Sequence, residues 1–180
     1  KMVDEFSSFA RLPKPIFRSE DAVDLVRQAL FLQEVAHPQI DYTFAAEADA
    51  PAIECDRHQF GQAMTNVLKN AAEAIEARRR DAPLDYRGRI CVEVGYDPQH
   101  LTVSVADNGV GLPQGSERIL EPYVTTREKG TGLGLAIVKK IVEEHGGDLS
   151  FSPADEGGTR VQLKFARDPA ETIQGSEAAE

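Results

Sequence analysis

The chain has 180 residues, with 20 Lys and Arg against 30 Asp and Glu and a formal net charge of −10, a length that suits one domain. An isoelectric point near 4.9 argues against a nucleic-acid surface, which needs a basic stripe, and no apolar run approaches the roughly 18 residues of a membrane span. The two cysteines, Cys55 and Cys91, are too few for a disulfide framework and stand at no zinc spacing, which points to a reducing compartment.

The chain opens at Lys1 with no initiator Met and no targeting segment and reads as a piece of a longer protein. Met2, Val3, Phe6 and Phe9 repeat at i, i+3/i+4 spacing, which predicts one apolar helical face stopped by Pro13 and Pro15. Two readings fit it: the cut end of a longer helix, or a terminal helix packed on its own domain. After an extended piece at Ile16–Phe17, Asp21 to Glu34 places Ala22, Leu25, Val26, Ala29, Leu30 and Leu32 in amphipathic register. Ile40, Tyr42 and Phe44 alternate as in a half-buried strand, and Ala52 to Cys55 is a shorter candidate. Asp56 is placed to cap a long helix from Arg57 to about Arg79.

Arg89–Tyr96 and Leu101–Ala106 alternate on either side of Asp97-Pro98-Gln99-His100 and predict an antiparallel hairpin. From Asn108 to Thr131 the chain is rich in Gly, Thr and charge and lacks periodicity; a loop so long is usually functional or disordered. Leu133 to His145 is the last predicted helix, ended by Gly146-Gly147. Strands at Leu149–Phe151 and Thr159–Phe165 follow, joined by a turn over Pro153 to Gly158. Arg167 to Glu180, with one positive and four negative charges, reads as a disordered acidic tail. The segregation of helices from most strands predicts an α+β fold, a mixed or antiparallel sheet with helices on one face.

Three clusters carry chemistry. Along the long helix, Gln59, Gln62, Asn66, Asn70 and Glu73 recur every three or four residues beside the apolar stripe Phe60, Met64, Val67, Leu68, Ala71 and Ile75. Asn is a weak helix former, so two of them one turn apart suggest a face for hydrogen bonding or for Mg²⁺, which accepts amide oxygens. A plain solvated face is the bland alternative. Next, Asp107-Asn108-Gly109-Val110-Gly111 follows directly on a strand, where a carboxylate can accept from the exocyclic amine of adenine but not from guanine's carbonyl; an ordinary Asx turn is the alternative. Last, Lys129-Gly130-Thr131-Gly132-Leu133-Gly134-Leu135 opens a helix, the arrangement that binds phosphate through backbone N–H groups, with Thr125, Thr126 and Arg127 just before it. No P-loop is present, and the glycine spacing is not that of a dinucleotide fold. The order of these clusters, closed by Gly157-Gly158-Thr159, is more specific than any one of them.

In that order the chain resembles the catalytic, ATP-binding domain of a sensor histidine kinase, within the gyrase, heat-shock chaperone, histidine kinase and mismatch-repair ATPase superfamily. Asn66 to Ala74 matches the N box, Asp107 to Gly111 the first glycine box and Gly130 to Leu135 the second. Leu120-Glu121-Pro122-Tyr123-Val124-Thr125-Thr126 resembles the F box, with Leu120 and Tyr123 where phenylalanines are usual. Val3 to Arg11 is similar to the end of the dimerisation helix hairpin in nitrogen-regulation kinases of the NtrY and NtrB type. The resemblance implies a two-layer α/β sandwich, the Bergerat ATP-binding fold, with a long ATP lid from about Pro113 to Thr131. It divides the chain into a remnant of the dimerisation hairpin (1–14), the catalytic domain (15–166) and the acidic tail (167–180).

The resemblance also implies roles. Asn70 would hold Mg²⁺ against the phosphates of ATP or ADP, with Asn66 beside it. Asp107 would bind the adenine amine, Thr159 would help through water, and Gly109 and Gly111 would shape the pocket. Gly130, Gly132, Leu133 and Gly134 would receive the phosphates, with Thr125, Thr126, Arg127, Lys129 and Thr131 around them. Relatives that hydrolyse ATP or phosphorylate serine resemble one another in carrying Glu one turn before the Mg-binding Asn, as a general base. Here that position is Asn66, which suits a histidine acceptor, since neutral imidazole has a free lone pair.

None of His37, His58, His100 and His145 lies in a His-Glu-x-x-Asn-Pro setting, so the acceptor is expected upstream of Lys1. The expected partners are that dimerisation domain, homodimeric in the parent protein, and a response-regulator receiver domain, with no nucleic acid and no membrane contact by this piece. A cytoplasmic location is expected, with the parent protein open to anchoring in the inner membrane. A nucleotide-sensing module without phosphotransfer is the rival reading, and Asn66 disfavours a chaperone or topoisomerase ATPase.

Overall fold

A computed structural model describes residues 11–112 and 133–171. Chain order is β1 (Arg18–Glu20), α1 (Ala22–Ala36), β2 (Asp41–Ala46), β3 (Ile53–Cys55), α2 (Arg57–Arg79), β4 (Arg89–Tyr96), β5 (His100–Asp107), α3 (Gly134–Glu144), β6 (Leu149–Pro153) and β7 (Thr159–Ala166). The main sheet runs β2-β4-β5-β7-β6. β2 pairs with β4 in parallel and every other pairing in it is antiparallel. The mixed sheet covered by helices is the predicted two-layer sandwich; the expected lid lies outside the described residues.

Local chemistry explains the helix starts. Asp21 caps α1 by accepting from the Asp24 N–H at 3.0 Å, and Asp56 caps α2 by accepting from His58 and Gln59 at 2.9 and 3.0 Å. The predicted α2 stripe (Phe60, Met64, Val67, Leu68, Ala71 and Ile75) is buried throughout. It faces the inward rows Ile90, Val92 and Val94 of β4 and Leu101, Val103 and Val105 of β5, all likewise buried. α2 lies between α1 and α3 on this face. Among the described residues no helix is long and apolar enough to cross a membrane.

Two expectations shift. The extended piece near Ile16–Phe17 becomes β1 two residues later, because Arg18, Ser19 and Glu20 find partners in Cys55, Glu54 and Ile53. Arg167, expected to start a tail, is instead tied to the fold: its N–H donates to Gln99 O at 2.8 Å and its carbonyl accepts from Glu54 N–H at 3.0 Å. Residues 172–180 lie outside the described residues.

Candidate functional site

β5 ends on Asp107, an inward-facing carboxylate only 7% exposed. The register that sets Val105 opposite Val161 puts Asp107 and Thr159 at the end of the same inward row, and Thr159 is also buried. Asp107 Oδ1 accepts from the Gly109 N–H at 2.8 Å. Burial pushes the Asp107 pKa up to about 6, against the pull of backbone amides of Gly109 and Thr159. A carboxylate so placed is poised to accept a hydrogen bond from a ligand that can restore what desolvation removed.

The walls are set by glycines where nothing else fits. Gly109 lies on α2: a Cβ there would sit 2.5 Å from the Ala74 carbonyl carbon, and the Val110 N–H donates to Ala74 O at 3.2 Å. Gly158, at φ +83, backs Asp107 so closely that a Cβ would overlap the Asp107 backbone oxygen and stand 2.6 Å from Oδ1.

On the other side of the site, α2 presents Asn66 and Asn70, both half-buried. Asn66 Nδ2 donates to Gly134 O at 3.3 Å, so the helix that carries the two amides is bonded to the first turn of α3. Leu133 is fully buried at the cap position of α3, with no side chain capping the helix. Among the described residues nothing lies within 4 Å of the Cβ position of Gly134. The amide oxygens of Asn66 and Asn70 are hard donors of the kind Mg²⁺ takes together with phosphate and water, so the residues present fit that ion.

Of the sequence-predicted site residues, Asp107, Gly109, Gly111 and Thr159 lie together at the end of β5 and the start of β7, while Asn66 is bonded to Gly134, beside Leu133, with Asn70 one turn further along α2. Thr125, Thr126, Arg127, Lys129, Gly130, Thr131 and Gly132 lie outside the described residues, as does the stretch resembling the F box.

Sequence reasoning missed Arg78 and Tyr86. Arg78 Nη1 donates to Asn108 O at 2.7 Å, and Tyr86 Oη donates to the same oxygen at 2.9 Å. The signal available was thin: Arg78 stands in the run Arg78-Arg79-Arg80 of an acidic chain, which reads as a solvated helix end. His145 is a structural residue. At the end of α3 its ring is fully buried, and burial holds its pKa below the ordinary value, so it serves the fold as a neutral ring and not as a cation facing the helix dipole.

Comparison with known proteins fits this geometry. The family described as "Histidine kinase-, DNA gyrase B-, and HSP90-like ATPase" matches residues 55–169. The nitrogen regulation protein NtrY of Azorhizobium caulinodans is 50% identical over 185 residues, covering 99% of this chain and 23% of the relative. A putative sensor histidine kinase, NtrY-like, of Rickettsia bellii is 38% identical over 165 residues, covering 91% of this chain and 26% of the relative. The chain thus spans about a quarter of the length of these relatives. Among solved structures, the nucleotide-free catalytic domain of histidine kinase ThkA superposes with a TM-score of 0.72 at 28% identity, over 87% of this chain and 99% of that one. Full-length ShkA in complex with AMPPNP gives 0.77 at 27% identity, over 92% of this chain and 35% of that one. The chain belongs to the histidine kinase-, DNA gyrase B- and HSP90-like ATPase family.

Proposed function

From that membership we propose that the chain is the catalytic domain of an NtrY-type sensor histidine kinase. It binds Mg-ATP and transfers the γ-phosphate to a histidine on an upstream dimerisation domain, for relay to an aspartate of a response-regulator receiver domain. The observation that carries the reading is the pairing of two ends of one site. At one end stands the buried Asp107, walled by Gly109 and Gly158; at the other, Asn66 is bonded to the start of α3.

In this reading Asp107 accepts from the adenine amine, and Thr159 assists through water. Asn70, with Asn66 beside it, holds Mg²⁺; the ion, when bound, neutralises charge on the phosphates and polarises the group being transferred. Gly130, Gly132, Leu133 and Gly134 receive the phosphates at the start of α3, with Thr125, Thr126, Arg127, Lys129 and Thr131 contributing from the preceding stretch. No residue at position 66 takes a proton, because Asn66 has no basic group; a histidine lone pair attacks without one. Catalysis therefore rests on positioning and charge neutralisation. The domain works in the cytoplasm, beside the dimerisation domain of its own homodimeric parent.

The test has two stages. Mg-ADP should raise the unfolding midpoint of the parent but not of Asp107→Ala, with about 2.7 kcal/mol of stabilisation at 100 times Kd. The separately produced dimerisation domain should then acquire acid-labile, base-stable phosphate from ATP only when this domain is added. Binding without labelling would leave nucleotide sensing as the function; no binding would end both readings.

A further inference from the structure

Among the described residues, Arg78 and Tyr86 hydrogen-bond to none of those to which the family resemblance gives a role, yet they converge on the residue between two of them. Asn108 is 8% exposed and every polar atom on it is engaged. Its carbonyl accepts from Arg78 Nη1 at 2.7 Å and Tyr86 Oη at 2.9 Å. Its Oδ1 accepts from the Arg89 N–H at 2.7 Å and from Tyr86 Oη at 3.2 Å. Its Nδ2 donates to Arg87 O at 2.8 Å, and its own N–H to Arg89 O at 3.3 Å. The Arg78 guanidinium lies 5.0 Å over the Tyr86 ring, so the two donors brace each other.

This clamp spans both walls around Asp107. Arg78 is one helical turn beyond Ala74, the residue on which Gly109 and Val110 rest, so α2 grips the loop at two successive turns. Arg78 Nη1 also stands 3.2 Å from the Cβ position of Gly157, beside the turn whose Gly158 backs Asp107. Asn108 is peptide-bonded to Asp107. Its carbonyl direction fixes the plane of the peptide that leads into the Gly109 N–H, and that N–H holds Asp107 Oδ1. A buried carboxylate whose ionised form is disfavoured needs such external fixing, because a small tilt trades a ligand bond for an unsatisfied charge.

We propose that Arg78 and Tyr86, acting through Asn108, are positioning residues for the base-recognising carboxylate, so that discrimination for the 6-amino group of the purine depends on them. The inference rests on the reading of Asp107 as the adenine acceptor.

The experiment measures affinity for Mg-ADP and for the diphosphate of purine riboside, which lacks the amine. The proteins are the parent chain, Asp107→Ala, Arg78→Lys, Arg78→Met and Tyr86→Phe, with each unfolding midpoint recorded. A hydrogen bond to a charged group supports a preference of about 10- to 100-fold for ADP in the parent. Arg78→Met and Tyr86→Phe are expected to bring that ratio toward the value for Asp107→Ala, with affinity for the amine-free analogue within about threefold of the parent. Arg78→Lys should restore part of it, since Lys supplies one donor but not the planar fork. An unchanged ratio in Arg78→Met and Tyr86→Phe would overturn the proposal, and so would an equal loss for both ligands that tracks the fall in midpoint. If the parent binds ADP without preferring the amine, or does not bind it, the reading of Asp107 fails and the inference falls with it.

Discussion

The backbone N–H of Asp56 donates to Nε2 of His145 at 3.1 Å, joining residues 89 positions apart. His145 Nδ1 lies 2.7 Å from Ile141 O, and a carbonyl only accepts, so Nδ1 carries the proton and Nε2 is the acceptor. A second proton on the ring would set one N–H against another. The bond ties the end of α3 to the cap of α2, and the Asp56 carboxylate extends the tie by accepting from the Ile16 N–H at 2.9 Å. Edge contacts from Phe17 and Phe165, with centroids at 5.3 and 5.8 Å, close the ring in.

Stability should therefore respond to pH through His145. Its folded pKa is lowered from 6.5, so below that value the unfolded chain binds a proton that the folded one refuses, and stability is lost as pH falls. His145→Gln removes the titration. The stability advantage of the parent over this variant should shrink as pH falls from 7 to 6, measured by urea unfolding. An advantage that stays level or grows on acidification would contradict the neutral ring.

Asp107 titrates in the opposite sense. Its folded pKa is raised from 3.8 to about 6, so the folded state binds the extra proton in that window and stability falls as pH rises through it. A rise of roughly two units corresponds to about 3 kcal/mol at pH 7. Asp107→Asn should accordingly make the nucleotide-free domain more stable at pH 7, by up to about 3 kcal/mol, while removing ADP binding. Calorimetric unfolding and ADP titration of the same preparation check both halves. A variant that is destabilised, or that binds as the parent does, counts against the assignment.

Nucleotide affinity should carry the same signature. Accepting from the adenine amine favours ionised Asp107, so binding should weaken as pH falls through about 6. Titrations with Mg-ADP at pH 7.5 and pH 5.5 should differ by about threefold or more, and a flat profile would speak against a titrating carboxylate at the base.

Gly158→Ala should be among the most damaging small substitutions. Its φ of +83 disfavours any side chain, and the new Cβ would meet Asp107 and stand 2.7 Å from the Gly109 N. A loss of about 3 kcal/mol is expected, a fall of roughly 10 °C in Tm, together with lost ADP affinity. By contrast Gly134→Ala, whose Cβ would meet none of the described residues within 4 Å, should leave Tm within a few degrees.

Asn66 supplies the last test. A general base contributes about 100- to 10,000-fold, and Asn66 cannot act as one. The parent should therefore hydrolyse Mg-ATP only slowly when no histidine acceptor is present. Rapid hydrolysis by both the parent and Asn66→Glu would remove the argument for a histidine acceptor.

By itself the sequence determined the helices and most of the strands among the described residues, and the order of its motifs pointed to the family. These depend on local rules: the α2 stripe repeats at helical period, Asp21 and Asp56 stand where caps are needed, and glycines mark close approaches. It also singled out Asp107, Asn66 and Asn70, which the structure places buried or half-buried at the end of β5 and along α2.

Only the tertiary structure decided which long-range partners complete them. β1 settles on Arg18–Glu20 because β3 offers its edge there, and Arg167 is ordered because Gln99 and Glu54 hold it. Arg78 and Tyr86 look like solvated surface residues until Asn108 stands between them. The neutral ring of His145 is decided by the core that closes over it. In each case the deciding quantity is burial or a bond between residues far apart in sequence, and no local pattern carries that.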